Sequence, residues 1–204
     1  DNLDVVRWRQ SLGQNIFALN NSAKFLSENG IHVDYQVLVD ARHENKSFLG
    51  WADRYLISSQ CHPSLFDSVN PADTLLWQPV LPGIEAKDRY IYNTDREHTE
   101  IGGGTTVGLS AMCLAYTLGY RKIHLFGYDS SHRENAGHAY NQALNANDPL
   151  CYVTFDGKRY KCSIAMAKQA ELFPILLEAM LDRGVIVTID GDGLLPDTMR
   201  QQQP

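Results

Sequence analysis

A glycine-rich turn between two apolar runs constrains the fold of this chain more than any other feature. The turn, residues 100–108 (EIGGGTTVG), follows the short apolar run 90–92 and opens an apolar segment that extends to Leu118. A second apolar run, residues 122–126, comes directly afterwards. Strand, glycine turn, helix and strand in this order make a βαβ unit, which belongs to a parallel sheet. The sequence therefore predicts an α/β fold with the glycines at the start of a helix.

The same turn has the chemistry of a phosphate-binding site. A helix start offers unpaired backbone N–H groups and the positive end of the helix dipole, and glycines let a ligand approach the backbone closely. Thr105 and Thr106 add hydroxyls that can cap the helix or contact a phosphate oxygen. The spacing matches neither Gly-x-Gly-x-x-Gly nor the Walker A motif. The glycines therefore predict a site for a phosphate-bearing ligand, and a purely structural tight turn is the alternative.

Composition limits the class of protein and its partners. A chain of 204 residues suits one α/β domain, which we predict over residues 1–199 with a flexible tail at 200–204. The net charge of −6 and the lack of a basic run argue against a nucleic-acid partner. No apolar segment reaches the roughly 18 residues of a membrane span. The 4 cysteines lack Cys-x-x-Cys pairing, which indicates free thiols and a cytoplasmic location.

Short apolar runs with β-branched and aromatic residues predict a Rossmann-like, mostly parallel sheet with helices on both faces. The predicted strands are residues 15–19, 35–39, 55–58, 90–92, 122–126 and 185–189. Helical patterns at 21–29, 105–118 and 163–183 are each followed by a glycine. Residues 152–162 predict a small β-hairpin, and residues 59–89 predict irregular connections. The chain opens on a helical pattern, so we also expect that the first strand of the fold is missing.

Polar residues follow most of the predicted strands at the point where each strand ends. In a parallel sheet these carboxyl ends form one edge, and ligands bind there. Hydroxyl, amide and carboxylate groups at such an edge suit sugars, phosphates and metal ions. The candidate nucleotide-binding residues are Asn20, Asn21, Ser22, Gly102, Gly103, Gly104, Thr105, Thr106, Gly127 and Tyr128. Helix capping and turn formation are their alternative roles.

Three further residues are candidates for catalysis or metal binding. Asp40 and Asp129 follow strands and are candidate Mg²⁺ ligands, although both also suit a turn. Asp129 and His138 are the catalytic candidates: His138 lies nine residues further on, in a Ser/Asn/Gly-rich loop, and could act as a general base for an acceptor hydroxyl. A surface position is the alternative for His138. The lack of Gly-x-Ser-x-Gly and His-Glu-x-x-His motifs disfavours hydrolase triads and zinc proteases.

Four segments resemble the 6-hydroxymethylpterin diphosphokinase MptE-like family. They are residues 15–22 (NIFALNNS), 30–40 (GIHVDYQVLVD), 102–115 (GGGTTVGLSAMCLA) and 118–129 (LGYRKIHLFGYD). The resemblance covers most of residues 1–140, and the last motif is the most specific. The family's opening strand and its Gly-Pro-Ser-Leu phosphate loop have no counterpart in this chain.

The resemblance implies a Rossmann-like fold that binds a nucleotide or a nucleotide-sugar. The family is more distantly similar to the bacterial sialyltransferases of glycosyltransferase family 42 and to the flagellin-modifying Maf proteins. By that likeness, Asn20 and the turn at 103–105 would contact the nucleotide. Asp40 and Asp129 would lie at the rim of the site, with His138 near the acceptor.

The expected function is a nucleotide-dependent transferase with a small-molecule donor and a hydroxyl acceptor. In the diphosphokinase version, ATP transfers diphosphate to a hydroxymethylpterin-like alcohol and Mg²⁺ bridges the phosphates. In the glycosyltransferase version, the donor is a CMP- or UDP-sugar and Mg²⁺ is not required. A non-catalytic nucleotide- or glycan-binding domain is the third alternative. The sequence is also compatible with a homo-oligomer.

Overall fold

The computed structural model describes residues 2–80, 100–104, 106–132 and 148–202. The described chain divides into two compact units, essentially Leu3–Cys113 and Leu114–Pro204. The predicted strand 90–92, Thr105 and His138 lie outside the described residues. That residues 1–199 act as one domain stays a prediction.

The first unit is built on a five-stranded parallel sheet. Its strands, in sheet order, are β1 (Phe17–Leu19), β2 (Tyr35–Leu38), β3 (Arg54–Ser58), β4 (Thr74–Pro79) and β5 (Glu100–Ile101). Leu19 pairs with Val37, and Val37 pairs with Leu56, so these residues lie side by side on strands that run in the same direction. All carboxyl ends therefore lie at the same edge. This sheet confirms the predicted α/β, Rossmann-like class.

One prediction in this unit was wrong. Residues 59–89 were expected to be irregular, but β4 runs through them and pairs in parallel with β3. The sequence pattern hides this strand because Leu75 and Leu76 are both partly exposed while Trp77 is buried. Pro71 precedes the strand and Pro79 ends it, and both also read as turn residues. The pairing with β3 therefore decides the structure here, against the local signals.

Helices connect the strands of the first unit and cover part of its core. They are α1 (Leu3–Ser11), α2 (Ser22–Glu28), α3 (Pro63–Phe66) and α4 (Val107–Thr117), with 3₁₀ turns at His43–Phe48 and Pro71–Asp73. Ala23 of α2 packs in one buried cluster with Ala18 and Val33. Leu65 of α3 packs in another with Leu38 of β2. These contacts fix the helices to the strands whose ends they follow.

The second unit contains a parallel pair and a hairpin. The strands are β6 (Lys122–Phe126), β7 (Leu150–Phe155), β8 (Lys158–Ser163) and β9 (Ile186–Asp190). β6 and β9 are parallel, with Phe126 opposite Asp190. β7 and β8 are antiparallel and are joined by Asp156 and Gly157, both at positive φ, as a type I′ turn requires. The predicted hairpin is confirmed and is longer than expected.

Two helices complete the second unit, α5 (Ile164–Leu181) and α6 (Leu194–Gln202). Ser163 caps α5 by accepting a hydrogen bond from the Met166 N–H, and the helix continues through Pro174. α6 was not predicted, because the preceding Asp/Gly turn and Pro196 read as breakers. Proline is tolerated in the first helical turn, and burial of Leu195 anchors the helix. The helix extends to Gln202, and the flexible tail at 200–204 stays a prediction.

No helix among the described residues combines the length and the apolar character that crossing a membrane requires.

A charged cluster links the hairpin to α6 and gives a testable pH dependence. Hydrogen bonds from Tyr160 and Lys158 hold the pKa of Asp197 below its usual value. A carboxylate with a lowered folded-state pKa stabilises the fold above the unfolded value, and this contribution is lost as the pH falls through the folded value. We expect Asp197→Asn to cost about 1 kcal/mol at pH 7, since Lys158 and Arg200 are 60% and 57% exposed and solvent screens their attraction to the carboxylate.

Urea unfolding at pH 7 and at pH 3 checks this expectation. Wild type should lose more stability than Asp197→Asn as the pH falls, because the variant has no charge to lose. Asp192→Asn is the matched control, since that carboxylate is 90% exposed and lies 3.8 Å from Arg200. Equal acid sensitivity of wild type and Asp197→Asn would contradict this role for Asp197.

Candidate functional site

The carboxyl end of β1 holds Asn20 in an uncommon backbone conformation. Its φ is +49°, a left-handed value that non-glycine residues rarely adopt. The Asn20 N–H donates to the Val37 carbonyl at 3.0 Å. Its own carbonyl accepts from Gln36 Nε2 at 2.8 Å. The neighbouring Ser22 hydroxyl accepts from the Leu19 N–H at 2.8 Å. Contacts with β2 therefore fix the position of Asn20 at the sheet edge.

Two buried amides, one of them in contact with Asn20, lie at this end of the sheet and were not predicted as site residues. The side chains of Gln36 and Asn45 are 0% and 1% exposed. Gln36 Nε2 donates to the Asn20 and Phe48 carbonyls, each at 2.8 Å. Asn45 Nδ2 donates to the Asp40 carbonyl at 3.0 Å. These bonds fix both amides with their nitrogens toward the protein backbone.

Three side-chain carbonyl oxygens at this end of the sheet have no matching donor among the described residues. Gln36 Oε1, Asn45 Oδ1 and Asn20 Oδ1 are buried and accept no hydrogen bond from any residue that the structure describes. A buried acceptor without a donor costs about 1–3 kcal/mol. Such groups are rare in folded proteins and call for a ligand or an ordered water. The edge beyond β1 and β2 is therefore prepared to receive hydrogen-bond donors.

Asp40, a candidate metal ligand, pairs with Arg42. The Arg42 N–H donates to Asp40 Oδ1 at 2.9 Å, and Arg42 Nε donates to Oδ2 at 2.6 Å. The guanidinium also contacts Oδ2 through Nη2. A cation at this carboxylate would have to displace the guanidinium. Whether Asp40 binds a metal stays a prediction.

Two histidines and a cysteine follow β2 and β3 at the same edge. The rings of His43 and His62 meet edge to face, with centroids 4.9 Å apart. His62 Nδ1 lies 3.2 Å from the Ser64 N–H and 2.9 Å from the Ser64 hydroxyl, so both groups orient the ring. Burial raises the pKa of Cys61 to about 12, so the thiol stays protonated and is a poor nucleophile. Acid–base chemistry fits this edge better than thiolate chemistry.

The glycine turn packs tightly against the helix that it precedes. A Cβ on Gly103 would lie 2.4 Å from the backbone N and Cα of Ser110, and its φ is +116°. Thr106 Oγ1 accepts from the Leu109 N–H at 3.4 Å and so caps α4. Close packing therefore explains Gly103, and capping explains Thr106. A phosphate contact is not needed to account for either residue.

The predicted nucleotide residues of the first unit do not form one cluster. Asn20, Asn21 and Ser22 follow β1, whereas Gly102 and the rest of the turn follow β5. These are the first and last strands in the sheet order, with three strands between them. Both groups follow the carboxyl ends of strands, and the buried amides of Gln36 and Asn45 lie at the β1–β2 end.

In the second unit, the turns after β6 and β9 come together. A Cβ on Gly191 would lie 2.6 Å from Asp129 Oδ1, and a Cβ on Gly193 would lie 2.5 Å from the Asp129 carbonyl. The Leu195 N–H donates to the same carbonyl at 3.2 Å. The glycines of the second turn thus make room for Asp129. This carboxylate therefore lies just beyond the carboxyl end of β6, and its role in a site stays a prediction.

The hairpin and α6 hold the loop around Asp129 in place. Cys162 Sγ donates to the Ser130 carbonyl at 3.1 Å, and the Ser131 hydroxyl accepts from the Leu194 N–H at 3.3 Å. Burial raises the pKa of Cys162 to about 11, so it remains a neutral donor. Burial also raises the pKa of Tyr128. Tyr128 therefore offers this loop a protonated hydroxyl rather than a phenolate.

Comparison with known sequences decides the family. Residues 10–135 match the sequence model of the family described as 6-hydroxymethylpterin diphosphokinase MptE-like, which is more than half of the chain. The chain belongs to this family. The match includes the β1–β5 sheet, the glycine turn and Asp129, whereas the hairpin, α5 and α6 lie beyond it. No curated protein matches the chain.

One solved structure shares the fold of this MptE-like chain. It is described as the structure of the Maf glycosyltransferase from Magnetospirillum magneticum AMB-1, and it superposes with a TM-score of 0.67 at 19% sequence identity. The superposition covers 94% of this chain and 30% of the other. The MptE-like chain thus spans less than a third of that protein. The names of both the family and this neighbour describe transferases, which supports a transferase-type function.

Proposed function

We propose that this MptE-like protein is a nucleotide-dependent transferase that binds the nucleoside part of its donor at the β1–β2 end of the sheet. The buried carbonyl oxygens of Gln36, Asn45 and Asn20 carry this proposal. Nucleobases and riboses present N–H and O–H donors, whereas an ionised phosphate presents acceptors only. The unmatched acceptors therefore suit a base or a ribose. The predicted contact between Asn20 and a nucleotide is consistent with this arrangement.

A nucleotide-sugar is the donor that we favour. A Mg²⁺–ATP complex would need carboxylates for the metal, and Asp40 pairs with Arg42. Sugar transfer does not require that pair to open. The acceptor hydroxyl would attack the anomeric carbon, forming a new C–O bond. The bond from that carbon to the donor phosphate oxygen would break, and the nucleotide would leave as an anion.

Two further proposed roles follow from the family resemblance. His138 would remove the proton from the attacking hydroxyl as a general base. Asp129, held by the turn after β9, would accept hydrogen bonds from sugar hydroxyls.

Diphosphate transfer from ATP to a hydroxymethylpterin-like alcohol is the second candidate. The family description favours it. The alcohol would attack the β-phosphorus, and AMP would leave. Asp40 or Asp129 would hold Mg²⁺, which would offset the negative charge of the phosphates. This version requires Arg42 to leave Asp40 when the metal binds.

A thermal-shift panel separates the candidates. CMP, UDP, GTP and ATP are each added with and without Mg²⁺, because a ligand that binds only the folded state raises its melting temperature. At a hundredfold excess over the dissociation constant we expect CMP or UDP to raise Tm by about 5 °C or more without Mg²⁺. A shift with ATP that appears only with Mg²⁺ would favour diphosphate transfer. No shift with any nucleotide would refute the nucleotide site.

A further inference from the structure

A second polar cluster lies at the amino edge of the five-stranded sheet, opposite the carboxyl edge. His32 and Asp34 precede β2, and Asp53 precedes β3. One nitrogen of His32 and one oxygen from each aspartate all lie within 4.8 Å of one another. His32 Nε2 and Asp53 Oδ2 are 3.0 Å apart. Three groups of this kind converge without any role in the proposed transferase reaction.

The backbone holds all three residues in place. Gln10 of α1 donates to the His32 carbonyl at 2.6 Å and accepts from its N–H at 3.2 Å. The Asp34 N–H donates to the Ile16 carbonyl, and the Asp53 N–H donates to the Val33 carbonyl. Asp34 Oδ2 accepts from the Ile16 N–H at 2.7 Å, which orients its carboxylate. The arrangement is therefore set by the sheet and by α1.

An exposed ion pair accounts for only part of this cluster. It explains why His32 lies beside Asp53. The two side chains are 58% and 62% exposed, respectively. The ion pair does not explain why the Asp34 carboxylate lies so close to that of Asp53, since like charges at this distance repel each other. A cavity of about 230 Å³ adjoins the cluster and is lined by Asn15, Asp34, Tyr35, Asp53 and Arg54. The cluster thus faces a polar space with room for several waters.

We propose that His32, Asp34 and Asp53 form a site for a divalent first-row transition-metal ion, with Zn²⁺ as the expected occupant. Imidazole favours such ions over Mg²⁺ and Ca²⁺, which prefer oxygen ligands alone. Ligand atoms around tetrahedral Zn²⁺ are about 3.3 Å apart, given bonds of about 2.0–2.1 Å. The His32–Asp53 distance of 3.0 Å is already close to this spacing. Rotation of the exposed side chains can bring the other ligand atoms, which lie within 4.8 Å of one another, to the same spacing.

A site with three protein ligands leaves a coordination position open. At this site the open position adjoins the cavity, where water or a small anion can complete the coordination. Arg54 on the cavity wall provides a positive charge suited to such an anion. The proposed metal also joins the amino ends of β2 and β3, so its binding stabilises the sheet.

Metal titration of the purified chain tests the site. The protein is first treated with a chelator, and Co²⁺ is then added while its visible absorption is recorded, because bound Co²⁺ reports its ligand geometry. Zn²⁺ is added afterwards as a competitor. We expect one Co²⁺ per chain at micromolar affinity, displaced by Zn²⁺, and a higher Tm with either metal. His32→Gln and Asp53→Asn should each weaken binding at least about tenfold.

Matched variants distinguish this site from general metal binding. His43→Gln removes another exposed histidine of the first unit, and Asp156→Asn removes a turn aspartate of the second unit. Both should bind Co²⁺ like wild type. The replaced side chains of His32 and Asp53 are exposed, so the variants should keep the wild-type circular dichroism spectrum. No Co²⁺ binding, or equal binding by wild type and His32→Gln, would overturn the proposal and leave a simple ion pair.

Discussion

Replacing Gly103 with alanine is expected to destabilise the protein by at least about 3 kcal/mol. The new methyl group would lie 2.4 Å from two backbone atoms of Ser110, and backbone atoms cannot rotate away as a side chain can. The φ of +116° adds conformational strain for any residue with a Cβ. Urea unfolding followed by circular dichroism measures the effect.

Gly102→Ala is the matched control for this prediction. A Cβ at Gly102 would meet only Cys113 Sγ, at 3.9 Å, which is an ordinary contact. We expect this variant to lose less than about 1 kcal/mol. Similar losses for the two variants would contradict the packing of Gly103 on α4. The turn would then need a different explanation, such as the predicted phosphate contact.

Replacing Gln36 with leucine is expected to cost about 1–3 kcal/mol, because the loss of two hydrogen bonds to buried carbonyls outweighs the removal of the unmatched Oε1. Leucine fills a similar volume but donates no hydrogen bonds, so the carbonyls of Asn20 and Phe48 lose a donor in a buried environment. The loss of Oε1 should also weaken nucleotide binding. We expect the Tm shift that the favoured nucleotide causes in wild type to disappear or to fall at least severalfold when the variant is melted with and without it.

Gln60→Leu provides the comparison for Gln36→Leu. Gln60 lies at the same edge and also donates a side-chain hydrogen bond at 2.8 Å, to the Val39 carbonyl, but it is exposed. Water can replace a donor there, so the cost should be below about 1 kcal/mol and nucleotide binding should persist. If Gln36→Leu were no more harmful than Gln60→Leu, the buried amide network would have no special role.

Most of the fold could be predicted because local pattern and tertiary structure agree. Apolar runs mark β1, β2, β3, β6 and β9, and the Asp156-Gly157 turn marks the hairpin. β4 could not be predicted in this way, because two neighbouring leucines are partly exposed and only the pairing with β3 makes the segment a strand. α6 was missed because its apolar residues follow a turn signal. In both cases long-range contacts outweigh local propensity.

The candidate site was predictable only where residues follow a strand end. This rule found Asn20 and Asp129, but not Gln36 or Asn45. Gln36 lies within β2, and a polar residue at the centre of the apolar run GIHVDYQVLVD was the available signal. Asn45 had no such signal. Its importance depends on burial and on its bond to the Asp40 carbonyl, which are properties of the folded chain.

The amino-edge cluster was invisible in the sequence for a similar reason. His32 and Asp34 are close along the chain, but Asp53 joins them only through the parallel pairing of β2 with β3. No standard metal-binding motif has this spacing. Sequence patterns therefore identify the class of this protein better than they identify its ligand contacts.

The central claim is that a nucleotide binds at the β1–β2 end of the sheet. The most direct test is a ¹H–¹⁵N NMR titration of the labelled chain with the nucleotide that gives the largest thermal shift. We predict that the amide signals of Asn20 and Asn45 and the side-chain amide of Gln36 change together at one affinity. The amides of the hairpin turn at Asp156-Gly157 should not change. Saturable changes confined to other residues, or none at all, would contradict the claim.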